Sequence, residues 1–272
     1  MYNKENSDLL NPKSTDFMDD NPCSYIPGKI VRMNYKQVDV VSSTFATAVA
    51  NRGWRRFGKN FVYPVCFSCT ACKSMRIDVK NYKYSKSQRK TINRNEDTYI
   101  KIQEPSITQE KLNLYNKYHN YKAERDGWKH QNMSSQEYFE NFVDGAHDFG
   151  KELLYYIDDK LVCVDLIDIL DDGVSSVYCY YDPDYPKFSL GTYSLLYEIK
   201  LAENLGLDWV YLGYWVEGCS AFEYKENFQP MEILEGFPRV SEKPNWKKWV
   251  PSTAYKHTPR ECAEDSKNNS DS

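Results

Sequence analysis

The sequence predicts an α+β fold. A small, basic, cysteine-containing domain over residues 21–104 precedes a larger mixed domain over 105–250, with 1–20 disordered and 251–272 a mobile tail. Three observations lead there. Residues 152–183, ELLYYIDDKLVCVDLIDILDDGVSSVYCYYDP, alternate apolar and polar residues between turns at Asp158-Asp159 and Asp171-Asp172-Gly173, the pattern of a three-stranded antiparallel meander. SLGTYSLLYEIKLAENLG, immediately after it, has the spacing of an amphipathic helix capped at Ser189 and closed by Gly206. The texture also changes near 100–105, where a basic, cysteine-bearing stretch gives way to helical periodicity.

The elements follow in order. NPCSYIPGK reads as a turn-rich entry. Phe45, Ala46, Val49 and Ala50 stand at helical spacing behind Ser42 or Ser43, and Gly53 ends that helix. FVYPV and SMRIDV are strand candidates on either side of the cysteine loop, and SKSQRKTINRN is a polar, basic helix. In the second part, Leu112, Tyr115, Tyr118 and Tyr121 line one side of a helix, and Ser134-x-x-Glu137 is a capping box opening another. After the meander and its helix come DWVYLGYWV as a strand, CSAFEYKENF as a helix and PMEILEG as a last strand.

Composition excludes several classes. The chain has 272 residues, 41% hydrophobic and 27% charged, an ordinary globular balance. Its longest apolar stretch, LVCVDLIDIL, is broken by Asp165 and Asp168, so no membrane span is expected. The polar, acidic start has no basic region followed by an apolar one, so no signal peptide is expected and the location is cytoplasmic. In that compartment the eight cysteines are expected mostly as thiols rather than a disulfide framework.

The net charge of −4 hides an asymmetry: between Arg52 and Arg94 stand twelve cations and one acid, Asp78. Such a block is the footprint of a polyanion, and Trp54, Phe57, Phe61 and Tyr63 within it can stack on bases. A solvated basic face answering acidic patches elsewhere is the alternative. Within the block, PVCFSCTACKSMR places Cys66, Cys69 and Cys72 three residues apart, which requires a loop or knuckle, since a single strand face cannot present all three.

The order of meander, helix, strand, helix and strand resembles the acyltransferase architecture of the GCN5-related N-acetyltransferase superfamily. There the helix after the meander receives a pyrophosphate on its N-terminal amides. The matching turn, Lys187 to Thr192, follows that superfamily's phosphate signature only roughly, so coenzyme A is not the expected donor. A closer resemblance lies in Cys23-Ser-Tyr-Ile-Pro-Gly, GWRRFGKNFVYPVCFSCTACKSMRI, SKSQRK, YYDPDYPKFSLGTYSLLYEI and LGYWVEGCSAFEYKENFQPMEIL. Together they look like the aminoacyl-tRNA–protein transferases of the N-degron pathway. The length and the cysteine pattern favour the bacterial leucyl-transferring form, which is similar to the eukaryotic arginyltransferases.

The resemblance implies transfer of leucine from leucyl-tRNA to the α-amine of proteins beginning with Asp or Glu. Arginyl transfer to the same acceptors is the runner-up, with a coenzyme-A-dependent N-acetyltransferase and a non-catalytic tRNA-binding adaptor further off. The donor ester is already activated, so no cofactor is required, and no Walker or dinucleotide motif is present. The expected partners are aminoacyl-tRNA and the protein acceptor, with no membrane, and the chain is expected to be a monomer. The basic block then meets the acceptor arm of the tRNA, through Arg52, Arg55, Arg56, Lys59, Lys90, Arg94 and Lys187.

An acidic acceptor side chain calls for a guanidinium: Arg76 or Arg89 first, Arg55 and Arg56 behind them, a phosphate contact or structural ion pair being the other role open to each. Asp182 is placed to accept the proton of the amine, or else simply caps the turn Asp182-Pro183-Asp184; Tyr178, Tyr180 and Tyr181 would orient the amine or the ester. The amides of Leu190 and Gly191 are candidate oxyanion donors by analogy. Cys23, Cys66, Cys69 and Cys72 would make a tetrahedral thiolate site for zinc or an iron–sulfur cluster, or a metal-free loop that packs its thiols.

Overall fold

The computed structural model describes residues 13–130, 132–239 and 241–250. Two sheets carry the fold. The smaller, in the order β1-β2-β4-β3, comprises β1 (Ser14–Pro22), β2 (Ile30–Val38), β3 (Arg55–Phe57) and β4 (Asn60–Pro64). Helix α1 (Ser43–Ala50) starts at Ser42, whose hydroxyl accepts from the amide of Phe45, and buries Phe45, Ala46 and Val49 with Phe61, Phe149, Leu170 and Tyr211.

The larger sheet contains eight strands in the order β12-β11-β5-β10-β9-β8-β7-β6. The meander is present as β7 (Gly150–Ile157), β8 (Lys160–Ile169) and β9 (Gly173–Tyr181), with β6 (Tyr99–Gln103) at its outer edge. On the other side stand β10 (Trp209–Val216), β5 (Cys72–Asp78), β11 (Met231–Glu235) and β12 (Asn245–Trp249). One face is covered by α5 (Leu190–Leu205), which buries Leu195, Leu196, Ile199 and Ala202 against β5, β8 and β10, with α2 (Lys86–Arg94) packed outside it. The other face is covered by α3 (Gln109–Asp126) and α4 (Ser135–Tyr138, continuing as a wider turn to Val143), around a cluster of Tyr115, Tyr138 and Tyr180. Each such buried aliphatic side chain contributes about 1.5–3 kcal/mol relative to exposure. Among the described residues no helix is long and apolar enough to cross a membrane.

Three features differ from the sequence expectation. Of the stretch expected to be disordered, residues 1–12 lie outside the described residues, as does 251–272, but from Ser14 the chain is a strand. Its partners sit on β2, where Arg32 pairs with Asp20, Lys36 with Asp16, and Tyr35 stacks on Phe17, so composition within 1–20 cannot reveal it. The change of texture near 100–105 is not a break in the sheet, because β5 is inserted between β10 and β11. Ser189 occupies the helix start with a left-handed φ of 51° and gives no side-chain cap, whereas Gly206 closes α5 at φ 70° as expected.

Candidate active site between two splayed strands

Strands β9 and β10 run parallel and pair only from Gly173 to Ser175 and from Trp209 to Tyr211. Beyond that point they diverge, because β10 bulges between Tyr211 and Gly213 while continuing to pair with β5 on its other side. The divergence leaves carbonyl groups on both lips of a gap without strand partners, a cost unless something donates to them. Two cations do. Arg55 Nη2, reaching from β3, donates to the carbonyls of Ser176 at 3.2 Å and Val177 at 2.9 Å. Lys225 Nζ, from the 3₁₀ turn Ser220–Asn227, donates to Leu212 at 2.8 Å and Tyr214 at 2.6 Å. Among the described residues neither cation forms an ion pair.

Gly213 lets Arg55 approach. It sits at φ 69°, and a Cβ there would come within 2.5 Å of Arg55 Nε. The Arg55 guanidinium lies over the rings of Phe57 and Tyr214, at 5.4 and 5.7 Å from their centroids. Lys225 is buried, and burial, then the charge of Arg55, pushes its ammonium well below the usual lysine range.

Two buried acids lie nearby, and Lys225 feels the charge of one of them, Glu198. Asp165 on β8 is 0% exposed and Glu198 on α5 1%. Both Asp165 oxygens and Glu198 Oε2 lack a donor from any other described residue. Burial raises Asp165 to about 7, and burial together with Asp165 holds Glu198 well above the carboxylic range. Burial therefore disfavours two full charges on this pair of carboxyls. Cys163, Cys179 and Ser194 adjoin it, with Cys179 Sγ 3.2 Å from Ser194 Oγ.

The four N-terminal cysteines converge a short way off. Cys23, Cys66, Cys69 and Cys72 line one cavity of about 20 Å³ with Ile26, Val31 and Phe237. All four are free thiols, and Cys72 is pushed up to about 12, by burial first and then by the other three. The donor set is one that zinc and iron–sulfur clusters accept. Yet among the described residues no three thiol, imidazole or carboxylate groups stand at ligating spacing. The pocket's inner wall is continuous with the gap: Tyr25, Ile26 and Cys72 pack on Tyr214, Val216 and Cys219.

Comparison with known proteins bears on this arrangement. The family described as "Arginine-tRNA-protein transferase, N terminus" matches residues 21–90, and its "C terminus" counterpart matches 110–235. The chain is 46% identical over 220 residues to an aspartate/glutamate leucyltransferase of Campylobacter jejuni subsp. jejuni serotype O:6, covering 81% of this chain and 92% of that one. The chain belongs to the arginine-tRNA-protein transferase family. A Helicobacter hepaticus aspartate/glutamate leucyltransferase is 38% identical over 224 residues, covering 82% of this chain and 93% of its own length. Among solved structures, L-PGS from Bacillus licheniformis aligns with a TM-score of 0.44 at 14% identity, over 65% of this chain and 58% of that one.

Within this transferase the basic block divides in two. Arg56 is 5% exposed and grips Asp168 through Nε and Nη2. Arg76 lies between the rings of Trp209 and Trp246 and is paired with Glu232 at 2.6 Å, so it is not free to receive an acceptor's acid. Arg52 donates to the carbonyls of Ala48, Arg239 and Glu242, and Lys59 pairs with Asp39 and Asp144. Their partners lie up to 190 residues away, which is why they read as free from sequence. Arg89, Lys90, Arg94 and Lys187 are exposed, on α2 and on the turn before α5. Arg89 bonds the carbonyl of Tyr84, and Arg94 reaches that of Lys187 at 2.5 Å, tying α2 to the start of α5.

The catalytic candidates fare unevenly. Asp182 is held by Lys117 at 2.5 Å and Lys160 at 2.9 Å, and these cations together with the Asp184 amide outweigh burial and keep its carboxyl below the usual range. A carboxylate so held is a weak base. Tyr180 is fully buried and bonded to Tyr138. Tyr178 meets His119 Nε2 at 2.8 Å, and burial pushes that imidazole down to about 4. The Tyr181 ring leans on Gly191, where a Cβ would come within 2.9 Å of it. Sequence reading missed Asp165, Glu198, Lys225 and Gly213. One signal was present: Glu198 lies on the apolar face of α5, three residues after Leu195 and four before Ala202, where an acid is out of place.

Proposed function

We propose that the chain transfers leucine from leucyl-tRNA to the α-amine of proteins beginning with Asp or Glu, marking them for N-degron degradation. The observation that carries this reading is the 46% identity to an aspartate/glutamate leucyltransferase over 92% of that protein's length. The order of meander, α5 and splayed β10 supports an acyltransferase of the GCN5-related type, with the gap as the place where ester and amine meet.

The chemistry is an aminolysis. The neutral α-amine attacks the ester carbonyl, an amide bond forms, the bond to the terminal ribose oxygen breaks, and the proton lost by the amine ends on that oxygen. An α-amine with a pKa near 8 is neutral in a useful fraction at pH 7. The chain's main contribution is therefore to hold the two reactants in register. The transfer assay tests the reading. Purified protein, labelled leucyl- or arginyl-tRNA, and peptides beginning with Asp, Glu, Gln or Lys are combined, and label in the peptide is counted. Leucine on Asp and Glu alone is the expected result; arginine would move the donor assignment to the runner-up, and no transfer would sink the reading.

The aminoacyl-tRNA is assigned to the outward face of α2 and the turn before α5, where the exposed cations Arg89, Lys90, Arg94 and Lys187 lie. Replacing Lys90 and Arg94 together by alanine is expected to weaken aminoacyl-tRNA binding about tenfold and to flatten the slope of log affinity against log salt by about 1–2. The preference among acceptor peptides should not move. An unchanged salt slope would place the RNA elsewhere.

A further inference from the structure

The transfer reading leaves one requirement without a residue. An acidic acceptor needs a cation that is reachable and not already neutralised, and neither first candidate offers one. Arg76 is paired and enclosed by two tryptophans, and Arg89 lies out on α2. We infer that Arg55, at the lip of the gap between β9 and β10, is the residue that recognises the carboxylate of the acceptor's first side chain. This inference rests on the leucyl-transfer reading and deepens it.

Four observations support it. Arg55 is half-buried, and only Nη2 is occupied; Nε and Nη1 have no partner among the described residues. It lacks the acid that Arg56 and Arg76 each possess, so its charge is uncompensated. Lys225 stands on the opposite lip, also without an acid in ion-pair contact, and Glu198, the carboxyl whose charge it feels, is held towards its neutral form by burial. The walls are aromatic: Phe57 and Tyr214 lie under the guanidinium, and the hydroxyls of Tyr25 and Tyr224 feel its charge. A partly desolvated guanidinium on apolar walls strengthens a charge-assisted bond to a carboxylate and rejects the neutral amide analogue, which offers no charge. A tRNA phosphate is the rival anion. The bonds of Arg55 to β9 hold it between strands, whereas the solvent-facing cations that suit a nucleic-acid backbone are on α2.

The test compares wild type, Arg55→Met and Arg55→Lys with peptides beginning Asp, Asn, Glu and Gln, measuring kcat/KM for each peptide and KM for leucyl-tRNA. Arg55→Met is expected to lose about 30-fold or more on Asp and Glu, the scale for removing one partner of a buried charge pair, and to bring Asp close to Asn. Arg55→Lys should fall between, because it keeps the charge and loses the planar donors. KM for leucyl-tRNA should stay within about twofold of wild type, since phosphate contacts are placed on α2. An Asp-over-Asn ratio that survives in Arg55→Met overturns the assignment, as does a loss confined to the KM for leucyl-tRNA, which would make Arg55 a phosphate contact. If Arg55→Met does not fold, as read from urea unfolding, the same ratio in Arg55→Lys decides. A wild-type protein that moves no leucine overturns the transfer reading itself, an outcome distinct from the other two.

Discussion

Replacing Asp168 by alanine is expected to cost about 3–5 kcal/mol of stability, because it strands a buried guanidinium without its counter-charge. Arg56 is 5% exposed and Asp168 3%. The acid accepts from Nε at 2.9 Å and from Nη2 at 2.6 Å, while Nη1 reaches only the carbonyl of Gly58. The pair ties β3 of the small sheet to β8 of the large one. Because β3 also carries Arg55, the change should lower peptide transfer as well as stability. The midpoint and slope of urea unfolding measure the loss. The double variant Arg56→Met with Asp168→Ala should recover most of it, since removing both charges leaves no orphan. A single-variant loss below about 1 kcal/mol would mean that water reaches Arg56 and that the pair is not a clamp.

The second large effect depends on pH. Burial raises Asp165 to about 7 from the ordinary aspartate value of 3.8, so the folded chain keeps a proton that the unfolded chain releases. The sign follows. Its contribution to stability is fully present below about pH 4 and is lost as pH rises towards 7. Glu198 shifts in the same direction, by burial first and by Asp165 second. Asp165→Asn removes this dependence. Relative to wild type the variant should therefore gain stability between pH 4.5 and 7.5, by about 4 kcal/mol at most. Unfolding curves at those two pH values measure the difference. Parallel behaviour of wild type and variant would show that Asp165 does not keep its proton in the folded chain. The lowered value of Asp182 works in the opposite sense and is common to both proteins, so it cancels in the comparison.

How much of this was legible depends on the range over which each signal acts. Helices α1, α2, α3 and α5 and the meander could be read because their causes are local: the Ser42, Ser85 and Thr108 caps, the period of the apolar residues, and Gly206 in the left-handed region. Strands β1, β3, β6 and β12 are short or exposed and β2 is long but only partly buried, so they carry no such pattern and exist because a neighbour supplies their hydrogen bonds. The long motifs were enough to identify the family, since that inference needs only residue identity along the chain.

The site was legible in part. Residue identity by itself determined the family resemblance and the presence of a basic block, and it named Cys23 with Cys66, Cys69 and Cys72 as one candidate set. Only the tertiary structure decided which cations were free. Arg56 meets Asp168 across 112 residues and Arg76 meets Glu232 across 156, and no spacing rule links positions so far apart. The same holds for the gap: β9 and β10 part company because β10 stays with β5, a strand more than 130 positions earlier in the chain. Charge and periodicity are properties of a segment, whereas neutralisation, burial and strand divergence are properties of neighbours brought together by folding.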